Sequence, residues 1–265
     1  MRPSVVIVGA GNLAYHLAIN LQQSKVPLLQ VCNRSRRGLA KIKKDTGIET
    51  ASSLKKINRE AHIYIIAVSD DAIKETASSI AHLIPADAII AHTSGSQSID
   101  VLSGIGPQLA YGSFYPLQSF KKERKLDFSV VPIFLSSNAK KTIKKLSVVA
   151  KEISHEVLTI PDEERAKLHV PAVYVNNFVN HMYTAAIDYC SKEGLKIESL
   201  HPLMKETLDR ILDHNKPQAM QTGPAIRGDK ETIKNHRKLL KDHPDQLPLY
   251  NYLTKAITQY YDENN

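Results

Sequence analysis

The feature that most constrains this chain is the run Val5-Val6-Ile7-Val8 leading straight into Gly9-Ala10-Gly11-Asn12-Leu13-Ala14. Four consecutive β-branched apolar residues suit a strand buried on both faces, and the G-x-G-x-x-A turn after it calls for a helix that starts at once. Gly9 permits the tight turn, Gly11 lets a pyrophosphate approach the backbone, and Ala14 allows close helix packing. The helix N-terminus adds positive potential. Gly9, Gly11, Asn12 and Leu13 are therefore candidate contacts to a dinucleotide.

The alternation continues as far as residue 160. Further strands are expected at 28–32, 62–68, 88–92, 109–114, 130–135 and 156–160, with helices at 12–23, 36–45, 53–58, 71–83 and 139–153. This pattern predicts an α/β unit of the Rossmann-like, doubly wound parallel type. After Pro161 the strand-like runs stop. Asp162 is expected to cap a long helix reaching Gly194, kinked at Pro171, followed by helices at 199–214, 230–241 and 248–261, the second of these three capped by Asp229. The reading is a dinucleotide-binding domain over 1–160 and an all-α domain over 161–265.

The formal charge of +8 raises the question of nucleic acid, and its placement answers it. Between Asn33 and Glu60 nine bases face three acids. No nucleic-acid module accompanies them and aromatics are not interleaved with the bases, so neither RNA nor DNA is the expected partner. The uncharged stretches 3–24 and 168–187 are interrupted by amides, histidines and glycines, so neither a membrane span nor a targeting segment is expected. Cys32 and Cys190 are far apart and show no metal-ligand spacing, which fits a reducing, cytoplasmic setting without a bound metal.

Ligands of open α/β sheets lie beyond the carboxyl ends of the strands. Where an NAD site would carry an acid after the second strand, this chain has Asn33-Arg34-Ser35-Arg36-Arg37. A guanidinium beside a hydroxyl suits a 2′-phosphate, so NADP is expected, with Asn33, Arg34 and Ser35 as contacts. Val68 and Ser69 end the next strand; Asp70 or Asp71 is expected to cap a helix rather than to react. In His92-Thr93-Ser94-Gly95-Ser96, Ser94 is a candidate to orient a carboxamide or a substrate oxygen, or else part of a polar turn.

In the helical half, His169, Val173, Asn177 and His181 recur every four residues. Asn177 and His181 are candidates to polarise a carbonyl or imine, the alternative being a polar network at a subunit interface. The turn from Gln221 to Asp229 offers Gln221, Thr222 and Arg227 as substrate anchors, unless its Gly-Pro turn only packs two helices.

Taken together, these landmarks and Gly112-Ser113-Phe114-Tyr115-Pro116-Leu117-Gln118 resemble a bacterial family provisionally described as NADP oxidoreductases. In that family a Rossmann-like domain precedes a helical domain of unknown function. The resemblance spans almost the whole chain and implies NADP binding, a helical dimerisation domain and a reductase activity without a settled substrate. More distantly the chain is similar to pyrroline-5-carboxylate reductases, coenzyme F420-dependent NADP reductases and β-hydroxyacid dehydrogenases. The helical half is expected to be like the C-terminal domain of 6-phosphogluconate dehydrogenase. In β-hydroxyacid dehydrogenases the first long helix of the second domain carries Lys-x-x-Asn-Asn, with the lysine as acid and base. Here Val173 replaces the lysine while Asn177 remains, and His181 is the substitute candidate.

The expectation is an NADP(H)-dependent oxidoreductase moving hydride to or from a small carbonyl or imine in an interdomain cleft. Ser94, Asn177 and His181 would polarise the reacting group. The uncharged face around Val175, Phe178, Val179 and Met182 predicts a homodimer. A non-catalytic NADP(H) sensor is the alternative, because no decisive acid-base pair stands out.

Overall fold

The computed structural model describes residues 2–106, 109–214 and 217–263. The chain divides into two compact units, Met1–Asn176 and Asn177–Asn265. The first contains one eight-stranded sheet in the order β3-β2-β1-β4-β5-β6-β7-β8. Its centre is β1 (Val5–Val8), β4 (Ile63–Ile66) and β5 (Ile89–His92), in which every residue is buried. Around them lie β2 (Leu28–Cys32), β3 (Thr50–Ala51) and β6 (Ala110–Pro116), all paired in parallel. Helices α1 (Asn12–Gln23), α2 (Leu39–Thr46), α3 (Ile73–Ala81) and α4 (Lys140–Ala150) complete the doubly wound α/β fold expected from the sequence.

Three details differ from the sequence reading. β3 is two residues long and too short to show a period, and the helix expected at 53–58 is a single 3-10 turn, Leu54–Lys56. β7 (Ile133–Ser137) runs antiparallel to β6, because the segment between them holds only the 3-10 turn Phe128–Val130 rather than a crossover helix. The parallel pattern resumes at β8 (Val157–Thr159), which follows α4.

The division between units falls later than the boundary at 160/161 read from the sequence. The reason is the first turn of α5 (Asp162–Ala172), whose Asp162 and Arg165 are tied to the sheet rather than to the helices. Pro161, not Asp162, occupies the cap position. Two residues beyond Pro171 the helix widens into a π-helical stretch, Val173–Phe178. Proline lacks the N–H of a normal turn and crowds the preceding one, and a widened turn absorbs the misfit. Four-residue spacing therefore does not define a straight line through Val173 and Asn177.

The second unit is helical: α6 (Val179–Lys192), α7 (His201–His214), α8 (Lys230–Leu239) and α9 (Gln246–Glu263). Asp229 caps α8 as expected, accepting from the Thr232 amide at 3.0 Å and its hydroxyl at 2.7 Å. Among its described residues only Cys190, Ala225 and His243 are buried. No helix among the described residues is long and apolar enough to cross a membrane.

Candidate functional site

The glycine turn after β1 is built as its chemistry requires. Gly9 adopts φ +129°, and a Cβ there would stand 2.1 Å from the Ala67 carbonyl oxygen at the end of β4. Gly11 occupies the N-cap of α1 with no side-chain cap, and a Cβ on it would meet nothing within 4 Å. The first amides of α1 thus face open space instead of a capping side chain, the arrangement that receives an anion.

That space is a cavity of about 620 Å3 over the carboxyl ends of β1, β2 and β4. All nine cofactor candidates read from the sequence line it: Gly9, Gly11, Asn12, Leu13, Asn33, Arg34, Ser35, Val68 and Ser69. Asn33 braces the loop after β2, its amide donating to the Ser35 and Arg37 carbonyls at 3.0 and 3.3 Å. Arg34 pairs with Glu75 at 3.1 Å, both side chains being more than half exposed. An exposed pair of this kind is worth little and is readily exchanged for a phosphate.

Two residues that sequence reasoning missed share this cavity. Lys122, from the segment after β6, donates to the Ala10 carbonyl at 2.7 Å. Burial lowers its ammonium from the ordinary lysine range, and Lys41 and Arg37 push the same way against the opposing Glu123. Thr76, on α3, is almost wholly buried, and its hydroxyl has no partner among the described residues. A polar atom of this kind facing a cavity is a binding contact in waiting. The glycine turn, the open helix end, Arg34 and the orphaned Thr76 hydroxyl together fit a phosphorylated dinucleotide. Neither missed residue belongs to a motif: Lys122 is one of several lysines in a loop, and Thr76 looks like any helix residue.

Beyond the cavity edge at Thr93 the loop after β5 turns inward. Ser94 is buried; its hydroxyl donates to Asp70 at 2.9 Å and accepts from the Ser96 and Gln97 amides at 3.2 and 3.0 Å. Ser96 donates to the same Asp70 oxygen at 2.8 Å. Ser94 is thus engaged in bracing its own loop. Asp70, expected as a helix cap, makes no side-chain cap bond and instead ties the ends of β4 and β5 together.

Beneath this loop Arg165 is completely buried. Its guanidinium donates to Ser113 and Ser136 at 2.8 and 2.6 Å, to Asp162 and to the Gln97 carbonyl. Asp162 also accepts from the Ser98 hydroxyl at 2.9 Å and the Ile99 amide at 2.6 Å. Burial works against the Asp162 charge, but the Ser136 hydroxyl, the Ile99 amide and Arg165 outweigh it and hold the carboxyl below its usual range. His92 is buried nearby; loss of solvent, reinforced by Arg165, pushes it down to about 4, so it is neutral. Over Gly95 stand Tyr115 and His169, their Oη and Nδ1 3.1 Å apart. The sequence marks Asp162 only as a helix cap and gives no signal at Arg165; only the fold shows Arg165 buried under a strand-end loop with Asp162 paired to it.

The remaining candidates lie in the second unit. Asn177 and His181 are exposed. Gln221 donates to the Thr222 carbonyl at 2.9 Å, and Arg227 is exposed. Thr222 lines a second cavity of about 580 Å3 within the helices, which includes Met182, Leu200, His236 and Tyr250. His236 Nδ1 lies 2.8 Å from the Tyr250 hydroxyl. Among the described residues no group of three or more His, Cys, Asp or Glu side chains is placed to hold a metal.

Residues 4–95 match the family model described as NADP oxidoreductase coenzyme F420-dependent, and residues 131–257 match a domain of unknown function, DUF2520. No curated protein matches the chain. Among solved structures, a Bacteroides fragilis protein provisionally named an NADP oxidoreductase is 33% identical, with a TM-score of 0.91 over 97% of this chain and 98% of that one. A Thermotoga maritima protein is 23% identical, with a TM-score of 0.77 over 97% and 99% of the two chains. An imine reductase from Myxococcus stipitatus in complex with NADP+ shares the fold at 13% identity, with a TM-score of 0.69 over 98% and 95%. The cradle over Gly9 and Gly11, and 33% identity to a protein of the same fold matched over nearly all of both chains, place this chain in the family of NADP oxidoreductases that carry a C-terminal DUF2520 domain.

Proposed function

We propose that the protein binds NADP(H) in the 620 Å3 cavity and uses it to move hydride to or from a small carbonyl or imine compound. The observation that carries the reading is the convergence of the glycine turn, the open end of α1 and the Arg34–Ser35 loop on one cavity. Bound NADP(H) supplies or accepts the hydride. The first amides of α1 hold the pyrophosphate. Arg34 leaves Glu75 for the 2′-phosphate, with Ser35 and Lys122 beside it, and Thr76 satisfies its hydroxyl on the ligand. In this reading residues 1–160 hold the cofactor, and the stretch 161–265, whose first part up to Asn176 belongs to the sheet unit, supplies the substrate and dimer contacts. In the latter, Asn177 and His181 are candidates to meet the reacting group, and Gln221, Thr222 and Arg227 to anchor the substrate. Ser94 acts by fixing the strand-end loop through Asp70.

The protein works as a homodimer in this reading. A helical unit with three buried residues among those described lacks a core of its own, while Val179, Met182 and Ile187 on α6 and Leu203 and Leu212 on α7 are exposed. A second copy covers them, as small domains with too little buried surface require. The buried free thiols of Cys32 and Cys190 fit a reducing compartment such as the cytoplasm.

The test is a fluorescence titration with NADPH and NADH, followed by absorbance assays with 2-methyl-1-pyrroline, glyoxylate and small aldehydes. Micromolar NADPH binding with preference over NADH, and oxidation by one of these compounds, is the expected result. Tight binding with no turnover by a wide panel would favour a sensor; no binding of either nucleotide would overturn the assignment.

A further inference from the structure

The Tyr115–His169 pair stands over Gly95, beside the loop that edges the nucleotide cavity. Gly95 follows Thr93 and Ser94, and Thr93 closes the edge of the nucleotide cavity. A Cβ on Gly95 would lie 2.7 Å from His169 Nδ1 and 2.8 Å from the Tyr115 hydroxyl, so only glycine lets the loop carry both rings against it. The Tyr115 and His169 rings meet edge to face, with centroids 6.1 Å apart. Tyr115 is nearly buried at the end of β6, whereas His169 is part exposed. Nδ1 of His169 faces the Tyr115 oxygen, and Nε2 makes no hydrogen bond among the described residues. The loop that carries Gly95 is held from below by Arg165 through the Gln97 carbonyl and from the side by Asp70 through Ser94 and Ser96.

We propose that His169 is the proton donor and acceptor of the reaction, oriented by Tyr115, which acts as a positioning residue. The inference rests on the hydride-transfer reading above. In the reducing direction the imidazolium keeps its Nδ1 proton on the Tyr115 oxygen and gives its Nε2 proton to the substrate nitrogen or oxygen. Hydride from NADPH reaches the adjoining carbon, the C=N or C=O double bond becomes C–NH or C–OH, NADPH becomes NADP+, and His169, left neutral, regains a proton from water. The reverse direction returns the proton to Nε2. Burial, opposed by Arg165 and aided by Asp70, raises Tyr115 above the ordinary phenol range, so it remains a neutral hydrogen-bond partner throughout. The charged groups acting on Tyr115 are Arg165, on the helix that carries His169, and Asp70 after β4.

The test uses the whole protein with ring-labelled histidine, NADP+ as the probe ligand, and the variants His169→Gln, Tyr115→Phe and His181→Gln. The His169 resonance, identified by its loss in His169→Gln, should shift when NADP+ binds to the unaltered protein. With whichever of 2-methyl-1-pyrroline or glyoxylate is reduced, His169→Gln should lower kcat by about 100-fold or more, as loss of a general acid does. NADPH affinity should stay within about threefold, because no phosphate contact is lost. The fall in rate with rising pH should vanish in His169→Gln and be displaced in Tyr115→Phe, which a merely structural role would not produce. A His169 resonance indifferent to saturating NADP+, or a greater loss of kcat in His181→Gln than in His169→Gln, overturns the proposal. Failure of NADP+ and NADPH to bind the unaltered protein would instead defeat the reading on which it rests.

Discussion

The two units of this molecule solve the burial problem in opposite ways. In the first, β1, β4 and β5 are buried along their whole length, and helices on both faces complete two apolar clusters. In the second, helices of 10 to 18 residues enclose three buried residues among those described and leave apolar side chains such as Leu203, Leu212 and Tyr252 more than 60% exposed. A parallel sheet covers its strands with its own crossover connections, so its core is finished within one chain. A few amphipathic helices have no such guarantee. The difference teaches that the glycine turn belongs to a self-sufficient unit, whereas the described residues of the helical unit leave apolar faces open.

The largest effect should come from charging the uncovered face. If the proposed dimer forms through this face, Val179→Asp together with Met182→Asp yields a monomer by light scattering and removes much of the helical circular dichroism. NADPH binding should survive within about threefold, since phosphate contacts dominate it. A monomer that keeps its full helicity would break the comparison, because the second unit would then stand alone.

Acid should strike the first unit next. His92 is held near 4 in the folded chain against about 6.5 when unfolded, so between those values the unfolded state binds more protons. Its contribution is complete above pH 6.5 and is lost as pH falls toward 4, about 3 kcal/mol in all. Urea unfolding at pH 7 and 4.5 should show that loss in the native protein and a smaller one in His92→Asn; equal losses would remove His92 as the cause.

The cofactor contacts give the smallest changes. Arg34→Ala should weaken NADPH about 10-fold or more while changing NADH little, the scale of a charge-assisted hydrogen bond. Lys122→Met should cost about fivefold, since Ala10 already takes one of its donors. Equal loss for both nucleotides in Arg34→Ala would place the 2′-phosphate elsewhere.

Much of the first unit was legible because its signals are local. The strand-turn-helix at Val5 to Ala14 names its own backbone, and the residues after β2 announce a basic pocket before any contact is known. Arg165 and Asp162 were not legible, since i and i+3 charges at a helix start are the common pattern of an exposed turn. Lys122 and Thr76 enter the cavity from segments far along the chain, and Tyr115 meets His169 across 54 residues. In the helical unit the Asn177 and His181 spacing was visible, but the π-helical stretch that alters its phase is a backbone response to packing around Pro171.

Sequence alone determined the chain's doubly wound sheet, its glycine turn and the basic loop after β2, because each depends on residues within a few positions of one another. Only the tertiary structure decided which distant polar groups share a cavity, that Arg165 is buried under the loop after β5, and that Gly95 is bare so that Tyr115 and His169 can meet above it. Long-range placement follows from how whole strands and helices pack, and no short window of residues carries that information.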